Sequence, residues 1–425
     1  MASETLDPPT TRRVSLSRAD RSISLPAPAR LGADFTKLWA ATAASNLSDG
    51  IRQAALPLLV ASMTREPALV AGVAVASQAP WLLFGLASGA IVDRFERRRI
   101  IGIAHLSRMC VVILLAVAIA GDLASIPMLY LAALLLGIAE TLFDNASQVI
   151  IPELVDEAHL EVANGRQTMA LVAGQQLLGP VLGASLFALG ASAPLLVDGV
   201  ALCVAALFVL SIRVRPPAPA PSSAPLRTDI AEGLRWLWAA NSLRLISLAS
   251  AVVNIALLAH MAVFVLFTLE VLNVGGIGYA LILACYAVGG IAGGWVAPRV
   301  AAHLEPRWAM AVALAVAAAS ILATGLTSSP VVTAAMQVCL AVAGSVWAVV
   351  TCSLRQRLTP AAMRGRIIGT HQLLSWGGAA LGAAFGGVLA SMFDLRTPFL
   401  VGSAMLFVVA AVIARARTLD GIAAP

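Results

Sequence analysis

Four side chains in the apolar run at 38–62 can carry charge or strong hydrogen bonds: Asn46, Asp49, Arg52 and Gln53. Asn46, Asp49 and Gln53 follow i, i+3, i+7 and so share one helical face, and Arg52 stands one turn from Asp49, where it can neutralise it. A second stripe crosses the run at 126–150. Glu140, Asp144 and Gln148 are spaced i, i+4, i+8, with Asn145 beside them. Two carboxylates one turn apart in apolar surroundings do not both ionise readily, so one of them can hold and release a proton. Glu140 lies deeper in its run than Asp144 and is the expected proton carrier, while the Asn46–Gln53 stripe is expected to line a proton or substrate cavity. Arg108, about two turns from a helix end, is expected to snorkel to the surface. Asp198 and Glu270, near the opposite ends of their runs, are expected to be structural. Ser250, Asn254, His371, Gln372 and Ser375 are further candidate lining residues, and Trp81, Trp347 and Trp376 fit packing better.

The elements that must position these residues are apolar throughout. Of 425 residues, 60% are hydrophobic and only 12% charged, against roughly 45–50% and about 25% in a soluble domain. Twelve apolar runs fall at 38–62, 69–92, 99–121, 126–150, 166–190, 193–212, 244–270, 277–298, 308–326, 330–352, 367–392 and 397–414, each near the ~20 residues a membrane span needs. The expected fold is therefore an all-α membrane protein of twelve transmembrane helices. The expected divisions are a disordered tail at 1–37, a six-helix half at 38–212, a loop at 213–243, a second half at 244–416 and a tail at 417–425. Residues 1–37 are polar and basic with no apolar core, so no signal peptide is expected.

Charge sets the orientation. With the N-terminus in the cytoplasm, 24 of the 28 Lys and Arg residues fall in segments on that side, as the positive-inside rule requires. The same rule accounts for the net charge of +6 without nucleic acid. The chain also repeats itself at an offset of 203–205 residues. Gly89–Arg94 aligns with Gly294–Arg299, Gly179 and Gly183 with Gly382 and Gly386, Pro194 with Pro398, and Asp49 with Asn254. Six spans per repeat keep both halves in one orientation, so the two halves are expected to be pseudo-symmetric with a site between them.

This organisation resembles the major facilitator superfamily. "GAIVDRFERRR", Gly89–Arg99, is similar to that superfamily's loop signature through Gly89, Asp93, Arg94, Arg97 and Arg98, with Glu96 where glycine is usual. "SLRQRLTPAAMRGRIIGTHQLLSWGGAALG" (Ser353–Gly382) and "IPELVDEAHLEVANG" (Ile151–Gly165) resemble the group that contains the enterobactin exporter and related multidrug and macrolide efflux proteins. "GQQLLGPVLGA" (Gly174–Ala184) resembles the superfamily's antiporter motif at Gly179, Pro180 and Gly183. The arginine frequent in the fourth helix is absent, with Ala133 in the corresponding region. The resemblance implies alternating access, with a gate in which Asp93 and Arg94 work with Arg97 and Arg98. Asp93 is expected to meet the start of the eleventh helix near Arg364 and Arg366. Arg299, the repeat of Arg94, is expected to pair with Asp156, Glu157 and Glu161.

Other classes fit poorly. Lys37, the single lysine, follows Thr36, so no phosphate-cradling Gly-Lys-Ser/Thr loop exists. Neither H-E-x-x-H nor G-x-S-x-G occurs. Cys110, Cys203, Cys285, Cys339 and Cys352 all lie in apolar runs without a C-x-x-C pair. No cofactor, metal or enzymatic activity is expected. The expected protein is a monomeric, multi-pass secondary transporter of the plasma (inner) membrane with both termini cytoplasmic. The resemblance implies that it exports a hydrophobic or amphipathic small molecule, such as a drug, macrolide-like compound or siderophore, in exchange for protons. A lipid, lysolipid or small-solute transporter is the alternative within the fold, and a non-transporting receptor or scaffold the alternative outside it.

Overall fold

The computed structural model describes residues 31–155, 159–213, 235, 238–359 and 364–416. Their secondary structure is helical, in twelve rods. These are α1 (Ala33–Met63), α2 (Pro67–Arg94), α3 (Arg97–Ala120), α4 (Ile126–Leu154), α5, α6 (Ala193–Leu210), α7, α8 (Gly276–His303), α9 (Pro306–Leu326), α10 (Pro330–Leu358), α11 (Arg364–Met392) and α12 (Thr397–Arg415). Rod α5 runs as Leu160–Leu171, a π-helical Val172–Leu178 and Gly179–Leu189. Rod α7 runs as Asn241–Met261, Phe264–Leu266 and a π-helical Phe267–Val271. Among the described residues, ten helices are long and apolar enough to cross a membrane. The other two rods are α1, which carries Asp49 and Arg52, and α11, whose apolar part is Gly377–Met392. The expected tails at 1–37 and 417–425 fall almost wholly outside the described residues, though α1 already begins at Ala33.

Local chemistry explains several boundaries. Proline opens α2, α9 and α10, where its missing N–H is one the first turn leaves unpaired in any case. Asp394 caps α12 by accepting from the Arg396 and Thr397 amides at 2.8 Å and the Thr397 hydroxyl at 2.9 Å. Slight burial works against the Asp394 charge, but these bonds outweigh it and hold the carboxyl below its ordinary range. In α5 the π-helical stretch ends just before Pro180. That ring cannot coexist with a regular carbonyl one turn earlier, and the Gly179 amide reaches back to the Gly174 carbonyl instead.

The packing obeys a shift of six helices. Within the first six rods α1 lies on α5 and α6, α2 on α4, and α3 on α4 and α6. Within the last six α7 lies on α11 and α12, α8 on α10, and α9 on α10 and α12. The two most extensive contacts that join the sets, α2 with α11 and α5 with α8, are exchanged by the same shift. The molecule is thus built as two pseudo-symmetric six-helix halves.

Candidate functional site

Four helices of the first half converge on one buried ion network. From α1, the Asp49 carboxylate accepts from the guanidiniums of both Arg52 and Arg108, the latter reaching in from α3. Arg108 also donates to the Ser45 hydroxyl at 3.2 Å. Arg52 turns its other terminal nitrogen to Asp198 on α6, Nη1 to Oδ2 at 3.3 Å, and the Ser48 hydroxyl donates to the second Asp198 oxygen. From α4, Glu140 Oε2 lies 3.7 Å from Arg52 Nη2. Asp144 follows one turn later, half-buried, with the charges of Glu140, Asp49 and Arg108 around it.

Two expectations are corrected here. Arg108 does not snorkel, because it is fully buried and bound to Asp49. Its charge is compensated inside the half, so there is no drive to reach water. Asp198 is not a peripheral structural acid but a fully buried counter-ion of Arg52. Both were visible as ionisable residues inside apolar runs, but nothing local to either names its partner. The two guanidiniums of this network come from α1 and α3 and none from α4.

The arrangement divides the acids by chemistry. Two guanidiniums face four carboxyl groups. Asp49 and Asp198 bind them directly and need their negative charge to do so. Glu140 has only the long contact to Arg52, and Asp144 has no ion pair among the described residues. A second pair of negative charges here would be uncompensated in a poorly solvated interior, so protons are the simplest counter-charge for Glu140 and Asp144. Glu140 keeps 30% of its side-chain surface accessible despite its depth, whereas Asp198 keeps none.

The remaining expected residues separate. Asn46 is buried with its amide nitrogen unpartnered, whereas Gln53, on the same helical side, is exposed. Asn145 donates to Ser88 on α2. Asn254 bonds its own helix at the Ser250 carbonyl, at 2.9 Å, and joins no network. The motif glycines work as close-approach points. A Cβ on Gly179 would meet the Gly50 backbone, and one on Gly183 the Ile51 carbonyl, both on α1. In the second half Gly378, Gly382 and Gly386 of α11 stand in the same way against Ala251, Ile255 and Ala259 of α7.

At the expected gate, Arg98 pairs with Glu96 at 3.1 Å and donates to the Ile212 carbonyl at 2.6 Å. Arg299 is exposed and donates to the Trp295 carbonyl of its own helix at 2.5 Å. Arg97 is half-buried. The side chains of Asp93, Arg94, Glu161, Arg364 and Arg366, the surroundings of Gly89, and all of Asp156 and Glu157, lie outside what the structure describes. At the opposite end the halves touch directly. Arg65 is 3.6 Å from Glu270, and the Ala68 amide donates to Ser391 Oγ at 3.1 Å. A largely apolar cavity of about 340 Å³ lies in that seam, between Leu58, Phe187, Leu269 and Ile277.

Comparison with known proteins agrees with this architecture. Residues 24–423 match the family model described as transmembrane secretion effector. The enterobactin exporter EntS of Shigella boydii serotype 4 (strain Sb227) is 28% identical over 384 residues, 88% of each chain. The enterobactin exporter EntS of Citrobacter koseri is 28% identical over 371 residues, 84% of this chain and 85% of its own. Among solved structures, the nucleoside transporter NupG superposes with a TM-score of 0.74 at 12% identity, covering 90% of this chain and 98% of its own. A bacterial homologue of the iron transporter ferroportin, in an inward-facing state, gives 0.73 at 16% identity, covering 91% and 98%. The chain belongs to the transmembrane secretion effector family of the major facilitator superfamily.

Proposed function

We propose that this protein is a proton-driven exporter of a hydrophobic or amphipathic small molecule, working by alternating access between the two halves. It is a transporter and not an enzyme. The observation that carries the proton coupling is the accessible Glu140 at the edge of a network whose two arginines are already matched by Asp49 and Asp198. Protonated, Glu140 lets the site close as a neutral unit; ionised, it offers a counter-charge to substrate or draws Arg52 away from its partners. One proton moving down about 100 mV supplies roughly 2.3 kcal/mol, enough to hold a gradient of about forty-fold.

The exporter direction rests on the relatives, whose names describe export of enterobactin. Residues 38–212 and 244–416 are read as the two moving bodies, joined by the 213–243 loop, in a monomer of the inner membrane with cytoplasmic termini. On that orientation the seam at Arg65 and Glu270 is read as the outer gate, and Asp93, Arg94, Arg97, Arg98, Arg299, Arg364 and Arg366 as the inner gate. No nucleic acid or cofactor enters this reading.

The test is accumulation of a panel of cationic, neutral and anionic compounds in cells with and without the protein, each with and without an uncoupler. Uncoupler-sensitive lowering of at least one compound is expected. Accumulation unchanged for every class would overturn the reading.

A further inference from the structure

Deep in the first half, on α3, stands a titratable side chain that the ion network does not use. His105 has no exposed surface, and neither ring nitrogen has a hydrogen-bond partner. Buried polar groups are nearly always paired, so two orphaned nitrogens on one ring call for a role. Packing cannot be that role alone, because an apolar ring would fill the same space without the penalty of desolvating two nitrogens.

The position is specific. His105 lies eight residues past the start of α3 at Arg97, about 12 Å along the axis, and Arg108 lies one turn deeper. The His105 ring packs on Phe143 of α4 with centroids 4.8 Å apart, and the Arg108 guanidinium lies 6.0 Å from the centre of the same ring. On α4, Ser147 is one turn beyond Phe143 toward the same end of the half, on the same face. Its hydroxyl is likewise buried and unpartnered, as is Arg108 Nε. Ser147, His105 and Arg108 therefore form a ladder of unpaired polar atoms along the α3–α4 seam. They lie at about 10, 12 and 16 Å from the helix ends, and Glu140 is at about 21 Å. The charged groups facing the ladder are Arg108 on α3, Asp49 on α1 and, beyond them, Arg52 on α1, Glu140 and Asp144 on α4 and Asp198 on α6.

We propose that His105 is a proton relay, passing protons along the α3–α4 seam between the Arg97 end of α3 and the Glu140–Asp144 carboxyl pair. This rests on the reading that those acids carry the exchanged proton. In the step, one ring nitrogen forms a new N–H bond as the N–H at the other breaks, so the ring is neutral before and after. The starting tautomer is restored by rotation of the neutral ring about its Cβ–Cγ bond, which exchanges the two nitrogens, so successive protons can pass in one direction. The Arg108 guanidinium one turn away repels a standing imidazolium, which favours passage over storage. His105 is thus a relay residue and not the site where the coupled proton rests.

The experiment needs no substrate. The full-length protein is reconstituted in lipid, and the infrared band of its protonated buried carboxyl is followed after transfer to D2O. The band is assigned by its loss in Glu140→Gln or Asp144→Asn. His105→Phe, which keeps the ring packing, should slow exchange at that carboxyl by about ten-fold or more. His105→Gln, which keeps a polar but proton-immobile group, should slow it to a similar extent. Exchange at the wild-type rate in either variant overturns the relay while leaving the coupling reading intact. If His105→Phe does not fold, the His105→Gln result decides. A wild-type protein with no protonated carboxyl band removed by Glu140→Gln or Asp144→Asn overturns the coupling reading, and the relay with it.

Discussion

At the scale of single residues, the network separates side chains that hold charge from those that can change it. Glu140→Gln preserves shape and hydrogen bonding but cannot release a proton. In proteoliposomes it should exchange substrate down a gradient at near wild-type rate and fail to concentrate it; uphill transport equal to wild type would move the proton site elsewhere. Arg108→Met tests the other class. It leaves Asp49 with one guanidinium instead of two in a fully buried setting, and breaking a buried pair costs about 3–5 kcal/mol. The variant should therefore show a markedly lower unfolding midpoint in detergent, whereas Glu140→Gln should not. Asp49 and Glu140 were legible from sequence because an ionisable residue stands out in a chain that is 60% hydrophobic. The partners were not. Asp49 and Arg108 are 59 residues apart, and Arg52 and Asp198 146 apart. Only the packing of α1 and of α3 on α6 brings them together. A local pattern marked the ionisable residues of α1 and α4, grouped the exposed Gln53 with the buried Asn46 and Asp49, and mistook Arg108 and Asp198 for peripheral charges.

At the scale of helices, the glycines of α5 and α11 set how closely each helix lies on α1 or α7. A methyl at Gly183 would fall on the Ile51 carbonyl, and one at Gly382 on the Ile255 carbonyl, so in each case backbone must move. Overpacking of this kind costs about 1–3 kcal/mol. Gly183→Ala and Gly382→Ala should both lower thermal stability and transport. Gly294→Ala, whose added methyl meets nothing within 4 Å, should change neither. Equal behaviour of all three variants would show that the seams tolerate slack. The spacing of these glycines and the position of Pro180 could be read from the chain, and with them a close helix contact. The π-helical form of Val172–Leu178 could not, because a proline specifies only that a regular turn is lost. The neighbouring helix selects what replaces it.

At the scale of the whole molecule, transport requires that the contacts between halves be breakable, and the Arg65–Glu270 pair is suited to that. The two side chains meet across the seam at 3.6 Å while remaining 62% and 40% exposed, and pairs of this kind are worth about 0.2–1 kcal/mol. A bond that weak cannot hold the seam by itself, but it can bias an equilibrium, since 1 kcal/mol shifts a two-state ratio about five-fold. Arg65→Glu replaces attraction by repulsion and should open this end more often. Glu270→Arg should do the same, and the double exchange Arg65→Glu with Glu270→Arg should restore closure, because the charges are simply swapped. The readout is labelling of a cysteine placed at Ala188, which lines the cavity in this seam, by a membrane-impermeant maleimide in a background lacking the five native cysteines. Each single variant should label up to about five-fold faster than the parent, and the double exchange at the parent rate. Uniform labelling in all four proteins would mean that the apolar contacts of α2 with α11 and α5 with α8 set the closed state alone. Faster labelling in the singles without recovery in the double exchange would mean that the individual side chains, not their charge pairing, support the seam.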